Sequence, residues 1–322
     1  MNRYKYSVVI VTYNRLALLK ECLEHCFLQT IPFTQIVVVD NNSNDGTKEY
    51  LDDLAGTDRR LLIFHAEKNT GGAGGFHKAL ELADKGLADY ILLIDDDAII
   101  DCDYIEKIEP FITEEIGAYS GCVLMQNGGI PRQRHMLCSK TFLLLKGADP
   151  ALYEQPFFDY DISSFCGLLL STKLIKKAGL PLAEYYIWHD DVEYSLRLRG
   201  ATIFRNVNGA RLIHKTGAAF STHRFCWKSY YGGRNSWDVA KKYSAHPHIY
   251  DACRFLYHTM SILLYSILSV LPKERGYHCA VVKMHRDILQ FRHDGTLGIH
   301  PDYTPESVSA LSDAPSGSDA SS

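Results

Sequence analysis

Three consecutive carboxylates, Asp95-Asp96-Asp97, close the apolar run Tyr90–Ile94. A short Ile- and Leu-rich run bounded by charge fits a strand buried on both faces of a sheet. Like charges this close do not all ionise cheaply unless a cation sits among them. A hard divalent ion with oxygen ligands supplies that cation. Extended backbone puts Asp95 and Asp97 on one side and Asp96 on the other. Asp95 and Asp97 are therefore read as ligands of a metal that carries a diphosphate. A solvated acidic loop is the competing reading of the tripeptide taken alone.

A second acidic centre, Asp190-Asp191, opens a helical pattern in which Val192, Ser195, Leu196 and Arg199 recur at three and four. A helix N-terminus favours the ionised carboxylate, and a positioned carboxylate can take a proton from a hydroxyl as general base. Simple capping is the alternative. The neighbouring Tyr185, Tyr186 and Trp188 suit stacking against sugar rings. His214 ends an apolar run as the acids do, and neutral imidazole suits a transition-metal ion, so His214 is expected to be a metal ligand. Gly71, Gly72, Gly74 and Gly75 would let backbone approach a nucleotide and present N–H groups at a helix start. The loop follows the third strand and lacks Gly-Lys-Ser/Thr, so it is neither a dinucleotide fingerprint nor a Walker loop. A flexible turn is the plain alternative.

These residues need a scaffold. Tyr6–Thr12, Gln35–Asp40, Leu61–His65 and the run ending at Asp95 read as strands. Helical patterns begin at Leu16, near Thr47 and after Phe76, the last running to about Lys85. The alternation predicts an α/β fold: a mostly parallel sheet with helices on both faces. Ligands in such sheets bind outside the carboxyl ends of the strands, where Thr12, Asn14, Asp40 and Asp95–Asp97 stand. Further strands are expected over 117–125, 163–171 and 201–207, a long loop over 125–140, and a helix from Thr172 to about Gly179.

From Arg224 a helical extension begins. Its cluster of Trp227, Tyr230, Tyr231, Arg234, Asn235 and Trp237 suits either packing or acceptor binding. The apolar stretch Phe255–Leu271, about 17 residues, is expected to be a buried or membrane-surface helix rather than a span. Lys283–Arg292, basic with interleaved apolar residues, suits an anionic membrane surface. Past Asp302 the Ser, Pro, Asp and Ala content predicts disorder. The expected organisation is a catalytic domain over 1–222, helices over 223–300 and a tail over 301–322.

The chain has 322 residues, and its net charge of −4 leaves no basic footprint for a nucleic acid. Nine scattered cysteines without a CxxC pair suit a reducing compartment. Cys22 and Cys26 are read as buried small side chains rather than metal ligands with His25. The N-terminus opens into a strand with no signal peptide. The expected location is cytoplasmic, with a peripheral contact on the inner face of the cell membrane.

The motifs together resemble the inverting family 2 glycosyltransferases, which have the GT-A fold. The shared pattern runs from Ser7 to about His214: Ser-Val-Val-Ile-Val-Thr-Tyr-Asn-Arg, Val-Asp-Asn-Asn-Ser-Asn-Asp-Gly-Thr, Asp-x-Asp at the strand end, then Asp-Asp-x-Glu. Within the family, Asn-x-Gly-Gly-Ala-Gly-Gly-Phe from Asn69 and Trp-x-Asp-Asp-x-Glu-Tyr from Trp188 are similar to the galactofuranosyltransferase branch. The resemblance implies that Thr12, Asn14, Asp40 and Asn69 bind the uridine part of a donor, with Gly71, Gly72 and Asp96 beside it. It implies Mn²⁺ or Mg²⁺ on Asp95, Asp97 and His214, Asp191 as base, and Trp188, His189 and Asp190 around the acceptor. The implied reaction moves galactofuranose from UDP-galactofuranose onto a hydroxyl of a growing cell-surface glycan or lipid-linked acceptor. Alternatives are a rhamnosyltransferase using dTDP-rhamnose, a non-catalytic nucleotide-sugar binder and a nucleotidyltransferase. The larger polymerising members have a long N-terminal extension, and here His189 stands inside the acidic motif. One or a few transfers are therefore expected.

Overall fold

The computed structural model describes residues 3–83, 86–130, 134–215, 226–270 and 275–305. The end of the third expected helix, the start at Arg224, the 222/223 boundary, the end of the apolar stretch and the tail beyond 305 lie outside the described residues. The strands are β1 (Tyr6–Thr12), β2 (Gln35–Asp40), β3 (Leu61–His65), β4 (Tyr90–Asp95), β5 (Ala98–Ile100), β6 (Ala118–Met125), β7 (Arg134–Ser139), β8 (Leu144–Gly147), β9 (Phe157–Tyr160), β10 (Ile162–Ser163), β11 (Leu168–Ser171) and β12 (Phe204–His214). The α-helices are α1 (Leu16–Phe27), α2 (Thr47–Ala55), α3 (Gly71–Leu82), α4 (Tyr104–Ile108), α5 (Thr172–Ala178), α6 (Asp190–Leu198), α7 (Lys228–Tyr243), α8 (Pro247–Leu268) and α9 (Arg275–Asp294).

Nine strands form the main sheet in the order β3-β2-β1-β4-β11-β6-β12-β5, with β9 also on β12. It is parallel from β3 to β4, and mixed beyond, because β11 runs antiparallel to both β4 and β6. Alternation along β1 separates two cores. Val8 and Ile10 pack with Leu19, Leu23 and Leu51 of α1 and α2. Val9 and Val11 pack with Phe76, Ala79 and Leu80 of α3. Each such fully buried side chain contributes about 1.5–3 kcal/mol, so a one-residue slip of β1 would lose both cores at once. Cys22 and Cys26 are wholly buried core residues, and no two cysteines are bridged.

The expected loop over 125–140 contains β7, which pairs with β8 and β10 in a small second sheet. Polar composition concealed it, because this strand is only half-buried along most of its length. The 163–171 segment is two strands broken by a turn, with Gly167 at φ +77°.

In the C-terminal layer, α7 is packed by its aromatic face: Tyr230, Tyr231 and Trp237 join Met284, Ile288 and Phe291 of α9. The apolar side of α9 is thus covered by protein. Its cations Lys283 and Arg292 pair with Asp287, Asp302 and Asp251, which removes the expected membrane face from 283–292. Helix α8 buries Tyr250 and His258 but exposes Leu256, Met260, Leu263, Leu264 and Ile267. It is not a buried helix, and no described helix is long and apolar enough to cross a membrane.

Candidate active site

The parallel register sets out the site. Thr12 lies opposite Asp40, and Val11 opposite Asp95, so three adjacent strands end together. A cleft of about 220 Å³ opens there, lined among others by Thr12, Arg15, Asn69, Gly72, Asp95 and Asp96.

The acidic turn is more compact than extended backbone would make it. β4 stops at Asp95, and Asp96 and Asp97 occupy a turn before β5, so strand alternation does not order the three side chains. Asp96 and Asp97 are both almost fully buried. Thr12 Oγ1 donates to Asp96 (2.8 Å). Arg15 Nη1 reaches Asp96 at 3.1 Å and Asp97 at 2.8 Å. Arg15 is thus one cation that the carboxylates require, supplied by the chain from the β1–α1 loop.

His214 arrives from the far end of the sequence because β12 pairs antiparallel with β5, with His214 opposite Ala98. Its Nε2 lies 3.1 Å from Asp97 Oδ1. Burial pulls the imidazole pKa down, but Asp97 and Asp95 together outweigh it and the net direction is upward. Ligand atoms of Asp95, Cys166 and His214 lie within 4.8 Å of one another. Despite Arg15 and His214, burial and the Asp97 charge push the Asp95 carboxyl up to about 7, and burial pushes Asp96 up to about 6. The cluster therefore remains short of positive charge. A carboxylate, an imidazole and a thiol fit a divalent first-row ion, the thiol being the soft member.

Cys166 carried no signal in the sequence. It is placed by Arg134, a fully buried guanidinium that donates to the carbonyls of Cys166 (3.0 Å) and Gly121 (3.1 Å) and to Asn206. Arg15 and Lys228 were also missed. Lys228 and Trp227, at the start of α7, line the cleft, and burial lowers the Lys228 pKa.

The glycine run is not a loop but the first turns of α3. Gly71 has φ +71°, and a Cβ there would meet Tyr186 O at 2.0 Å. At Gly75 a Cβ would lie 2.4 Å from Val11. These glycines let α3 close onto β1 and the 186 loop; Gly72 has open space and faces the cleft. Asn69 Oδ1 accepts from Gly71 N and Asn41 Nδ2. Asn14, at φ +53°, accepts from Asn44 N and so ties the β1 end to the loop after β2. Asp40 is held by Ser43 N and His65 Nδ1 and lies beneath that loop rather than on the cleft lining.

The second acidic centre lies at the start of α6, as the periodicity predicts. Tyr186, Trp188 and His189 all have positive φ, an unfavourable conformation for non-glycine residues. Asn235 holds it by donating Nδ2 to the carbonyls of Tyr185, Ile187 and Trp188. Arg234 adds the carbonyls of Glu184 and Tyr185. The helix terminus does not keep the acids at ordinary values. Burial raises Asp191 to about 6 despite its bond from Val192 N, and burial plus the Asp191 charge raises Asp190 further. Asp190 also feels Asp95, so the two acidic centres share one region.

A sequence model described as glycosyl transferase family 2 matches residues 7–176, more than half the chain. Glycosyltransferase GlyG of Streptococcus pneumoniae serotype 4 is 33% identical over 109 residues, covering 34% of this chain and 35% of that one. The putative teichuronic acid biosynthesis glycosyltransferase TuaG of Bacillus subtilis is 31% identical over 127 residues, covering 39% and 49%. The chain thus spans less than half of either relative. Among solved structures, S. aureus TarS 1-349 in complex with UDP superposes with TM-score 0.53 at 17% identity, covering 91% of this chain and 92% of that one. GalNAc-T7 with UDP, GalNAc and Mn²⁺ gives TM-score 0.59 at 13% identity, covering 90% and 57%. These likenesses establish the shared GT-A fold, and the match over 7–176 establishes that the chain belongs to glycosyl transferase family 2.

Proposed function

We propose that the protein is a metal-dependent inverting glycosyltransferase that uses a UDP-sugar, with UDP-galactofuranose the favoured donor. The carrying observation is the meeting of Asp95 and His214 in one ligand-sized cluster beside the strand-end cleft. The UDP bound in two fold neighbours supports the nucleotide. The motifs from Asn69 and Trp188 support galactofuranose, and they are what favours it over rhamnose.

In this reading Thr12 and Asn69 meet the nucleotide on the cleft, while Asn14 and Asp40 shape the loop around its base. Asp95 and His214 would hold Mn²⁺ or Mg²⁺ with Cys166 adjacent, and Asp97 would support His214. When bound, the ion stabilises negative charge on the departing diphosphate. Asp191 takes the acceptor hydroxyl proton as that oxygen attacks the anomeric carbon from the face opposite the diphosphate. The carbon–diphosphate bond breaks, UDP leaves, and configuration inverts. The strained loop at 186–189 and Asp190 position the acceptor. The acceptor is a growing cell-surface glycan or lipid-linked saccharide. The exposed apolar stripe of α8 rests on the membrane surface, which vesicle co-sedimentation of wild type and Leu263→Glu would test.

A panel of UDP- and dTDP-sugars with Mn²⁺, read by nucleoside-diphosphate release and transfer, tests the whole reading. UDP-galactofuranose should turn over fastest, and His214→Ala should remove the metal dependence. Turnover confined to dTDP-rhamnose would overturn the donor. Donor binding without transfer to any acceptor would overturn the enzyme, and pyrophosphate release would indicate nucleotidyl transfer.

A further inference from the structure

A second cavity, about 490 Å³, lies between the 188–192 segment and helices α7, α8 and α9. Trp188, His189 and Val192 line it, flanking Asp191 in the chain. Opposite them stand Arg254, Tyr257, His258 and His285.

The polar groups of this cavity are incompletely matched. Arg254 Nη2 reaches Ser236 Oγ at a long 3.3 Å, and its Nε has no hydrogen-bond partner among the described residues. No ion pair to Arg254 is found among the described residues. His258 is 1% exposed and stacks on the Trp237 indole at 5.4 Å. Its Nδ1 lies 2.7 Å from His285 Nδ1, and its Nε2 has no partner among the described residues. Two ring nitrogens this close share a single proton, so one ring donates there and the other accepts. The accepting ring then carries its proton on Nε2 and can donate elsewhere. Burial, with Arg254 nearby, lowers His258 to about 3, His285 to about 4 and His189 to about 4. All three imidazoles are therefore neutral at ordinary pH, and Arg254 is a charge that all three feel. A guanidinium in a partly dry wall, with neutral N–H donors around it and no paired carboxylate among the described residues, is complementary to an oxyanion from outside.

We propose that this cavity is an acceptor subsite in which Arg254 and the His258–His285 pair bind an oxyanion carried by the acceptor, with Trp188 and Tyr257 against its sugar. The proposal rests on the glycosyltransferase reading for the word acceptor, but the anion chemistry stands on the cavity alone. The oxyanion is a phosphate of a glycosyl phosphate or a carboxylate of a uronic acid.

The test uses the full chain saturated with UDP and Mn²⁺, so that the donor cleft is filled, and compares wild type with Arg254→Gln and Arg254→Lys. Glucose 1-phosphate, glucuronic acid and methyl glucoside are titrated, with binding read by calorimetry. At least one anionic sugar should bind ten-fold or more tightly than methyl glucoside. Arg254→Gln should erase that preference, and Arg254→Lys should keep part of it. Preference for the phosphate over the carboxylate, or the reverse, identifies the source. Equal binding of all three sugars to wild type, or an undiminished preference in Arg254→Gln, would overturn the subsite. Stabilisation by UDP with Mn²⁺ is measured first on each protein. Its absence would count against the donor site, whereas its presence without anion preference would count against this subsite alone.

Discussion

The turn after β4 and the start of α6 each crowd aspartates into a buried place, and they handle the charge differently. At Asp95–Asp97 the fold brings cations: Arg15 from a neighbouring loop and His214 from the last strand of the sheet. At Asp190–Asp191 the assistance found among the described residues comes from backbone N–H groups, and burial keeps both carboxyls well up. A cluster that gathers cations is fit to hold one more. A half-compensated carboxyl near 6 is fit to take a proton. Similar runs of aspartate thus sit in two electrostatic environments, divided by which elements pack alongside.

Asp191→Asn tests this division with the largest expected effect. Transfer should fall by about 10²–10⁴, the usual worth of a general base, while UDP binding with Mn²⁺ stays at the wild-type level. Persistence of transfer near the original rate would place the base elsewhere. His214→Ala should do the opposite, weakening Mn²⁺-dependent UDP binding by at least about tenfold. If UDP affinity and its metal dependence are untouched in a titration, the first centre does not hold the ion.

The pH profile sharpens the contrast further. Asp191 must be ionised to act, so transfer should drop about tenfold per unit below pH 6 and level off above it. Linkage has a definite sign here. The unfolded chain releases this proton near pH 4 and the folded one near 6, so its contribution turns unfavourable to the fold as pH rises through that window. Asp191→Asn should therefore be no less stable than wild type at pH 7.5 by thermal melting; a clear loss of stability would show that the carboxylate is well compensated after all. Arg15→Ala should have the smallest effect. Its side chain is 42% exposed, so solvent screening limits the loss to about 1 kcal/mol. That deficit should shrink when Mn²⁺ is added, and a deficit indifferent to Mn²⁺ would separate Arg15 from the ion.

Much of this was legible in the chain. The β-branched runs at Tyr6–Thr12 and Gln35–Asp40, and the acids at their ends, announce strands and a ligand-bearing edge, because periodicity and burial are local properties. The glycines after Asn69 were read as a nucleotide loop because open backbone and tight packing use the same residue. Only the contacts of Gly71 with Tyr186 and of Gly75 with Val11 separate the two. Strand β7 was hidden by polar residues that a half-buried small sheet tolerates. The apolar stretch at 255–271 named a helix without saying which side would be covered.

By itself the sequence determined the strand–helix alternation, the two acidic centres and the family motifs, since each depends on neighbours within a few residues. Tertiary structure alone decided that His214 and Cys166 stand beside Asp95 and that Arg15 bridges Asp96 and Asp97. Those facts follow from strand order and from β12 closing on β5. Electrostatic partnership is set by distance in space, and no spacing along the chain encodes it.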